Sequence, residues 1–167
     1  LHFAFSMVDQ HGLKKHGRGG FTCHICVLRP KSVGSVKLAD ANPNSPPLID
    51  PAFLKYERDL DTMLAGVKQA QQIMQAPSFD AHRGKALYAG ASNDDEELKE
   101  DIRNRADTIY HPVGTCKMGP DSDPNAVVDQ RLRVRGIKSL RVIDASIMPK
   151  IVSGNTNAPS IMIGEKG

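Results

Sequence analysis

The sequence predicts an α+β fold in which an antiparallel or mixed sheet is flanked by helices. Short β-rich runs fill the first third of the chain, and two amphipathic helical patterns follow in the middle third. Strands that precede helices in this way are typical of layered α+β domains. The last third changes character, because short apolar pieces are separated there by Gly, Pro and Asn.

The predicted strands are short and are separated by turn residues. Apolar side chains at every second position of residues 1–7 favour a first strand, and residues 21–28 form a β-rich run that stops before a proline. Residues 35–39 predict a further strand. The turn-like residues 31–34 predict that these two runs pair as a hairpin or as adjacent antiparallel strands. Residues 48–49 form one more extended piece.

A long amphipathic helix is predicted over residues 57–75, and Pro77 ends it. Its apolar side chains recur at spacings of three and four, which places them on one face of a helix. The residues of this stripe are Leu60, Met63, Leu64, Val67, Ala70 and Met74.

A second helix is predicted to begin at Ser92 and to run to about Thr108. Asp95 follows Ser92 by three residues, as in a capping box, and acidic residues fill the first turn, where the helix dipole favours them. The acidic run 94–101 is therefore interpreted as a solvated helix start. The apolar stripe of this helix comprises Leu98, Ile102, Ala106 and Ile109.

A third helix is predicted near the end of the chain, with Asn157 as its N-cap and Gly164 near its end. Pro159 is tolerated in the first turn, where its missing N–H would have no partner in any case. Before this helix, residues 127–128, 132–134 and 140–143 form short apolar or β-branched pieces.

Composition excludes several classes of protein. The chain has 167 residues, of which 40% are hydrophobic and 25% charged, so it is globular and not disordered. The net charge of +3 comes without a dense basic block, which excludes nucleic acid as the main partner. No apolar run approaches the roughly 20 residues of a membrane span, although the sequence leaves association with a membrane open. Three cysteines indicate a reducing compartment, and we expect a cytoplasmic location.

Cys23 and Cys26 form a C-x-x-C pair, which raises the alternatives of metal binding and redox chemistry. Residues three apart on a strand point to opposite faces, so the two thiols would not converge. Structural zinc needs four convergent ligands, and we therefore predict no metal site. The glycine-rich residues 17–20 lack the spacing of a phosphate-binding loop, and nothing in this chain can hold a whole dinucleotide.

His111 stands out among the histidines because it precedes Pro112, which turns the chain away from helical geometry. Two interpretations remain open from the residues alone. His111 could interact with the dipole at the end of the second helix, or it could serve chemistry. Asn155, Thr156 and Asn157 are open in the same way. They could cap a helix. Alternatively, the helix N-terminus could present free N–H groups to an anionic or electron-accepting group. An Asn near that end and facing a His could then hold an alcohol oxygen.

Three ordered segments carry a resemblance to a known family. They are residues 110–119 (YHPVGTCKMG), 140–149 (LRVIDASIMP) and 154–166 (GNTNAPSIMIGEK). Together with residues 27–38 and 49–51, they resemble the C-terminal region of the glucose–methanol–choline (GMC) oxidoreductases. The sequence is most similar to the branch that contains choline dehydrogenases and FAD-dependent alcohol dehydrogenases.

The resemblance implies an FAD-dependent enzyme that oxidises an alcohol to an aldehyde and passes hydride to flavin N5. His111 and Asn155 match the two catalytic positions of the family, with His111 as the base. Asp144, Ala145, Thr156 and Asn157 match positions that contact the flavin. The resemblance also assigns residues 1–110 to a substrate-binding portion and residues 111–167 to a catalytic and flavin-contacting segment of one compact domain.

The nucleotide-binding G-x-G-x-x-G of the family is absent from this chain, which also opens and stops in the middle of sequence patterns. We therefore expect a part of a larger enzyme that needs an N-terminal FAD-binding region, retains little or no FAD alone and is inactive by itself. The expected substrate is a small alcohol, with choline and aliphatic alcohols as open alternatives. The rival hypothesis is a stand-alone, non-enzymatic binding module, which would have no need of His111, Asn155 and Asp144 together.

Overall fold

A computed structural model describes residues 1–14, 16–17 and 19–167, and it confirms the α+β fold. The strands are β1 (His2–Ala4), β2 (Thr22–His24), β3 (Ser35–Lys37) and β4 (Leu48–Asp50). The α-helices are α1 (Glu57–Met74), α2 (Asp95–Arg105) and α3 (Asn157–Lys166). Arg18 of the glycine-rich residues 17–20, and Lys15 before them, lie outside the described residues.

The chain divides into two compact units. The first consists of Leu1–Val27 and Phe53–Asp107, and the second of Leu28–Ala52 and Thr108–Gly167. All six residues that the sequence marks as catalytic or flavin-contacting therefore belong to the second unit. These two units differ from the division into residues 1–110 and 111–167 chiefly because residues 28–52 belong to the same unit as the C-terminal residues.

In the first unit, helices α1 and α2 form the hydrophobic core. Leu60 and Leu64 of α1 pack with Leu98 and Ile102 of α2, and all four side chains are buried. These residues belong to the two predicted stripes, which confirms the helical periodicity. The antiparallel strands β1 and β2 pair with Phe3 opposite Cys23.

The predicted limits of α2 are wrong at both ends. Asp94 caps the helix by accepting the backbone N–H groups of Glu96 and Glu97, at 2.8 and 3.1 Å. A carboxylate at this position replaces the predicted hydroxyl cap of Ser92, since both side chains are good N-caps. The helix ends at Arg105, so Ile109 lies beyond it with 44% of its surface exposed.

The predicted pairing of residues 21–28 with residues 35–39 is also wrong. Strand β2 pairs with β1, and β3 pairs with β4 in a register that places Val36 opposite Ile49. The chain passes from the first unit into the second between Val27 and Leu28. Residues 31–34 therefore do not close a hairpin between the two runs.

The second unit has its own hydrophobic core, which lies beneath the candidate site. Val128, Ile147, Met148 and Ile163 are buried there, and Val128 has no exposed surface. Val128 also joins short backbone bridges, parallel to Met118 and antiparallel to Val134. The apolar pieces of the last third thus pack as bridged loops and not as long strands.

Neither a membrane span nor a metal cluster is found in the part of the chain that the structure describes. None of its helices combines the length and the apolar character needed to cross a bilayer. Among the same residues, no three His, Cys, Asp or Glu side chains are grouped so that they could hold a metal ion.

Candidate active site

His111 is half-buried at the start of an irregular segment whose backbone is constrained at several points. Tyr110 before it has a positive φ of 66°, and Gly114 after it has φ of 91°. Because α2 ends at Arg105, His111 is not in the last turn of that helix. The dipole effect is confined to that turn, so the first of the two open interpretations of His111 does not apply.

Backbone hydrogen bonds join the segment after His111 to the short 3₁₀ turn Ala145–Ile147. The N–H of Cys116 donates to the carbonyl oxygen of Ser146 at 3.0 Å, and the N–H of Met118 donates to that of Ile147 at 2.8 Å. Two of the three recognisable sequence segments are therefore held side by side. The side chain of Ile147 is buried in the core below them.

Asp144 caps this 3₁₀ turn. Its carboxylate accepts the backbone N–H of Ser146 at 2.7 Å. Hydrogen bonds from the side chain and the backbone of Ser146 lower the pKa of Asp144, which keeps it an anionic acceptor. Asp144 is exposed, whereas Ala145 is half-buried and packs against the core. The carboxylate therefore faces outward on a turn that the core holds in place.

Thr156 connects the third segment directly to His111. Its hydroxyl oxygen lies 3.1 Å from the Nδ1 atom of His111, and its backbone nitrogen lies 3.4 Å from the same atom. Only 8% of the surface of Thr156 is exposed, so this contact is shielded from water. The two residues are 45 positions apart in the sequence, and the fold brings them together.

The N-cap of α3 is Thr156 and not Asn157, which is the first helical residue. The side chain of Thr156 makes no capping hydrogen bond. An N-cap oxygen normally accepts the N–H of the second or third helical residue, and the third residue here is Pro159, which has no N–H. The N–H groups of Asn157 and Ala158 consequently have no intrahelical partner and point out of the helix.

Comparison with known proteins places this arrangement in a family. The GMC oxidoreductase family model matches residues 30–164. The chain belongs to the GMC oxidoreductase family. It is 51% identical over 166 residues to an alcohol dehydrogenase [acceptor] of Pseudomonas putida, a match that covers 99% of this chain and 30% of that protein. It is 45% identical over 167 residues to the mitochondrial choline dehydrogenase of Homo sapiens, a match that covers 99% of this chain and 28% of that protein.

Solved GMC-like structures agree with the fold. Pyridoxine 4-oxidase from Mesorbium loti matches with a TM-score of 0.76 and 34% identity over 83% of this chain and 27% of that one. An FAD-dependent oxidoreductase from Chaetomium thermophilum matches with a TM-score of 0.72 and 27% identity over 79% of this chain and 23% of that one. The chain thus spans less than a third of the length of these relatives and corresponds to the C-terminal domain of the GMC oxidoreductases.

The six residues predicted from the GMC resemblance have different surroundings. His111 and Thr156 are in contact, and the residues next to Asp144 and Ala145 are tied to the His111 segment through the backbone. Asn155 and Asn157 flank Thr156 and are exposed. The sequence assigns Thr156 to the flavin and gives no indication of its contact with His111. Pro159 is a local indication that the Thr156 hydroxyl does not cap α3, because proline removes one of the N–H groups that would donate to an N-cap hydroxyl.

Proposed function

We propose that this chain carries the alcohol-handling half of the active site of an FAD-dependent alcohol dehydrogenase, with His111 as the base. The observation that carries the proposal is the shielded contact of His111 Nδ1 with Thr156 at the start of α3. That contact leaves Nε2 as the ring atom available to a substrate hydroxyl. A neutral imidazole can accept a proton near neutral pH when a hydroxyl lies within hydrogen-bond distance.

Asn155 is the proposed second residue at the substrate oxygen. It is exposed and adjacent to Thr156, and the structure gives its side chain no hydrogen-bond partner among the described residues. An amide cannot remove a proton, but its NH₂ group can donate to an alcohol or alkoxide oxygen. Asn155 would thereby hold the oxygen while His111 accepts the proton, which is catalysis by orientation.

The start of α3 fits the electron-accepting end of a flavin. Its first N–H groups lack intrahelical partners, and the uncapped helix end carries a partial positive charge that favours negative charge nearby. Asn157 at this end, together with Thr156 and the Asp144–Ala145 turn, would hold the cofactor from this side. FAD, when bound, accepts the hydride released from the carbinol carbon.

The same proposal includes three further points. Residues 1–110 bind the substrate, FAD binding depends on a separate region, and the protein is cytoplasmic. The substrate class is a small alcohol. The named activities of the two curated relatives support choline and simple alcohols as the compounds to test first.

The test uses the full-length flavoprotein, an alcohol panel that includes choline, and an artificial electron acceptor. We expect His111→Ala to lower kcat by about 10²- to 10⁴-fold, the loss typical of a removed general base. His82→Ala is the matched control, because His82 is an exposed histidine outside residues 111–167, the segment proposed to carry catalysis, and it should leave kcat unchanged. Wild-type turnover in His111→Ala at full flavin content would exclude His111 as the base.

A further inference from the structure

The Thr156 hydroxyl does not make the capping hydrogen bond that is usual for a threonine at a helix N-cap. A threonine at an N-cap normally stabilises its helix by accepting a backbone N–H. At the start of α3 this bond is not made, and the hydroxyl faces Nδ1 of His111 at 3.1 Å instead. The helix loses a capping hydrogen bond, and the histidine gains a buried polar partner.

The two groups of Thr156 that approach His111 differ in the ring tautomers they can bond to. The backbone N–H, 3.4 Å from Nδ1, can only donate, so it needs Nδ1 without a proton and favours the tautomer with the proton on Nε2. The hydroxyl, 3.1 Å from Nδ1, can donate or accept, so unlike the backbone N–H it can also bond to a protonated Nδ1. If Nδ1 carries the ring proton, Nε2 has a free lone pair, and if Nδ1 does not carry it, Nε2 does.

We propose that the hydroxyl of Thr156 is a positioning group that sets the tautomer of His111, with Nδ1–H donating to Oγ1 so that Nε2 is unprotonated. The inference rests on the proposed role of His111 as base. The hydroxyl makes the shorter of the two contacts, and it alone suits both stages of proton transfer. When the substrate O–H bond breaks and its proton bonds to Nε2, the Nδ1–H remains and still requires an acceptor. Oγ1 provides that acceptor without any turn of the ring, which a backbone N–H cannot do.

Thr156→Val is the decisive variant, because valine keeps the shape of threonine and removes the hydroxyl. The wild-type side chain makes no capping bond, so this change removes none from α3. In the variant the backbone N–H is the remaining partner of Nδ1, and the ring should shift to the tautomer with its proton on Nε2. Thr156→Ser keeps the hydroxyl and is the matched control.

The first readout is the ¹⁵N spectrum of the histidine ring in the full-length, flavin-loaded protein. We expect a protonated Nδ1 in the wild type and in Thr156→Ser, and a protonated Nε2 in Thr156→Val. A wild-type ring already protonated on Nε2, or the same tautomer in all three proteins, overturns the proposal. This readout does not depend on turnover, so it is independent of whether His111 proves to be the base.

The second readout separates kcat from KM at equal flavin content. Thr156→Val should lower kcat about tenfold with KM little changed, the effect expected from one neutral hydrogen bond, and Thr156→Ser should restore it. Wild-type kcat in Thr156→Val, or an equal loss in the serine variant, contradicts a role for the hydroxyl. If His111→Ala keeps its turnover while the ring tautomer still follows residue 156, the base assignment is wrong and the positioning contact stands.

Discussion

Gly114 offers a direct test of how the chain near His111 determines turnover. Its φ of 91° lies in the region that residues with a side chain rarely adopt. A Cβ there would lie 3.4 Å from the carbonyl oxygen of Met148, which is an ordinary contact. The expected cost of Gly114→Ala is therefore backbone strain alone, about 1–2 kcal/mol. Relief of that strain requires the turn after His111 to rotate.

Two other glycines test whether backbone strain lowers kcat wherever it occurs or only when it lies next to His111. Gly136 in the same unit also has a positive φ, 76°, and an added Cβ would have no atom within 4 Å, so Gly136→Ala should cost about the same 1–2 kcal/mol. Gly84 has equally open space around it but no positive φ. Gly84→Ala should be neutral or stabilise the protein by up to about 1 kcal/mol, because it restricts the unfolded chain.

The assay measures thermal unfolding and kcat of all three variants in the full-length flavoprotein. We expect Gly114→Ala and Gly136→Ala to lower the Tm by similar amounts. Only Gly114→Ala should also lower kcat, by about tenfold, which corresponds to a loss of about 1.4 kcal/mol of transition-state stabilisation. Gly84→Ala should lower neither the Tm nor kcat. Equal kcat in the Gly114 and Gly136 variants, or equal destabilisation by Gly84→Ala, would refute the reasoning.

Two further predictions concern the cofactor and acid stability. The isolated chain should bind little or no FAD, because the nucleotide-binding motif of the family lies outside it; stoichiometric retention of a yellow chromophore after gel filtration would contradict this. The hydrogen bond from Arg133 lowers the pKa of Asp129 from 3.8 to about 2. Because the folded state has the lower pKa, the stability from this pair is complete above pH 3.8 and is lost as the pH falls through 2. Asp129→Asn should remove that part of the acid dependence, as followed by unfolding of the full-length protein across this range.

The parts of the fold that can be predicted are those that depend on local periodicity. The apolar stripe predicts α1 over residues 57–75 and the helix is found at Glu57–Met74, because one apolar face defines a long helix almost completely. The start of α2 is harder to predict, since Ser92 and Asp94 are both good caps and only the observed hydrogen bonds select Asp94. The strand pairing depends on contacts between distant parts of the chain, which no local pattern encodes.

The candidate site shows the same division between local and distant information. The motif containing His111 and the motif containing Asn155 can be recognised from the sequence, and so can the start of α3. The contact between His111 and Thr156 joins positions 45 residues apart, so it follows only from the fold. Its cause is nevertheless local in part. Pro159 removes one of the two N–H groups that could donate to a capping hydroxyl, which leaves only one capping bond to compete with the contact between Thr156 and the histidine. In this chain, a Thr N-cap with a Pro three residues later thus begins a helix whose cap residue contacts a neighbouring side chain.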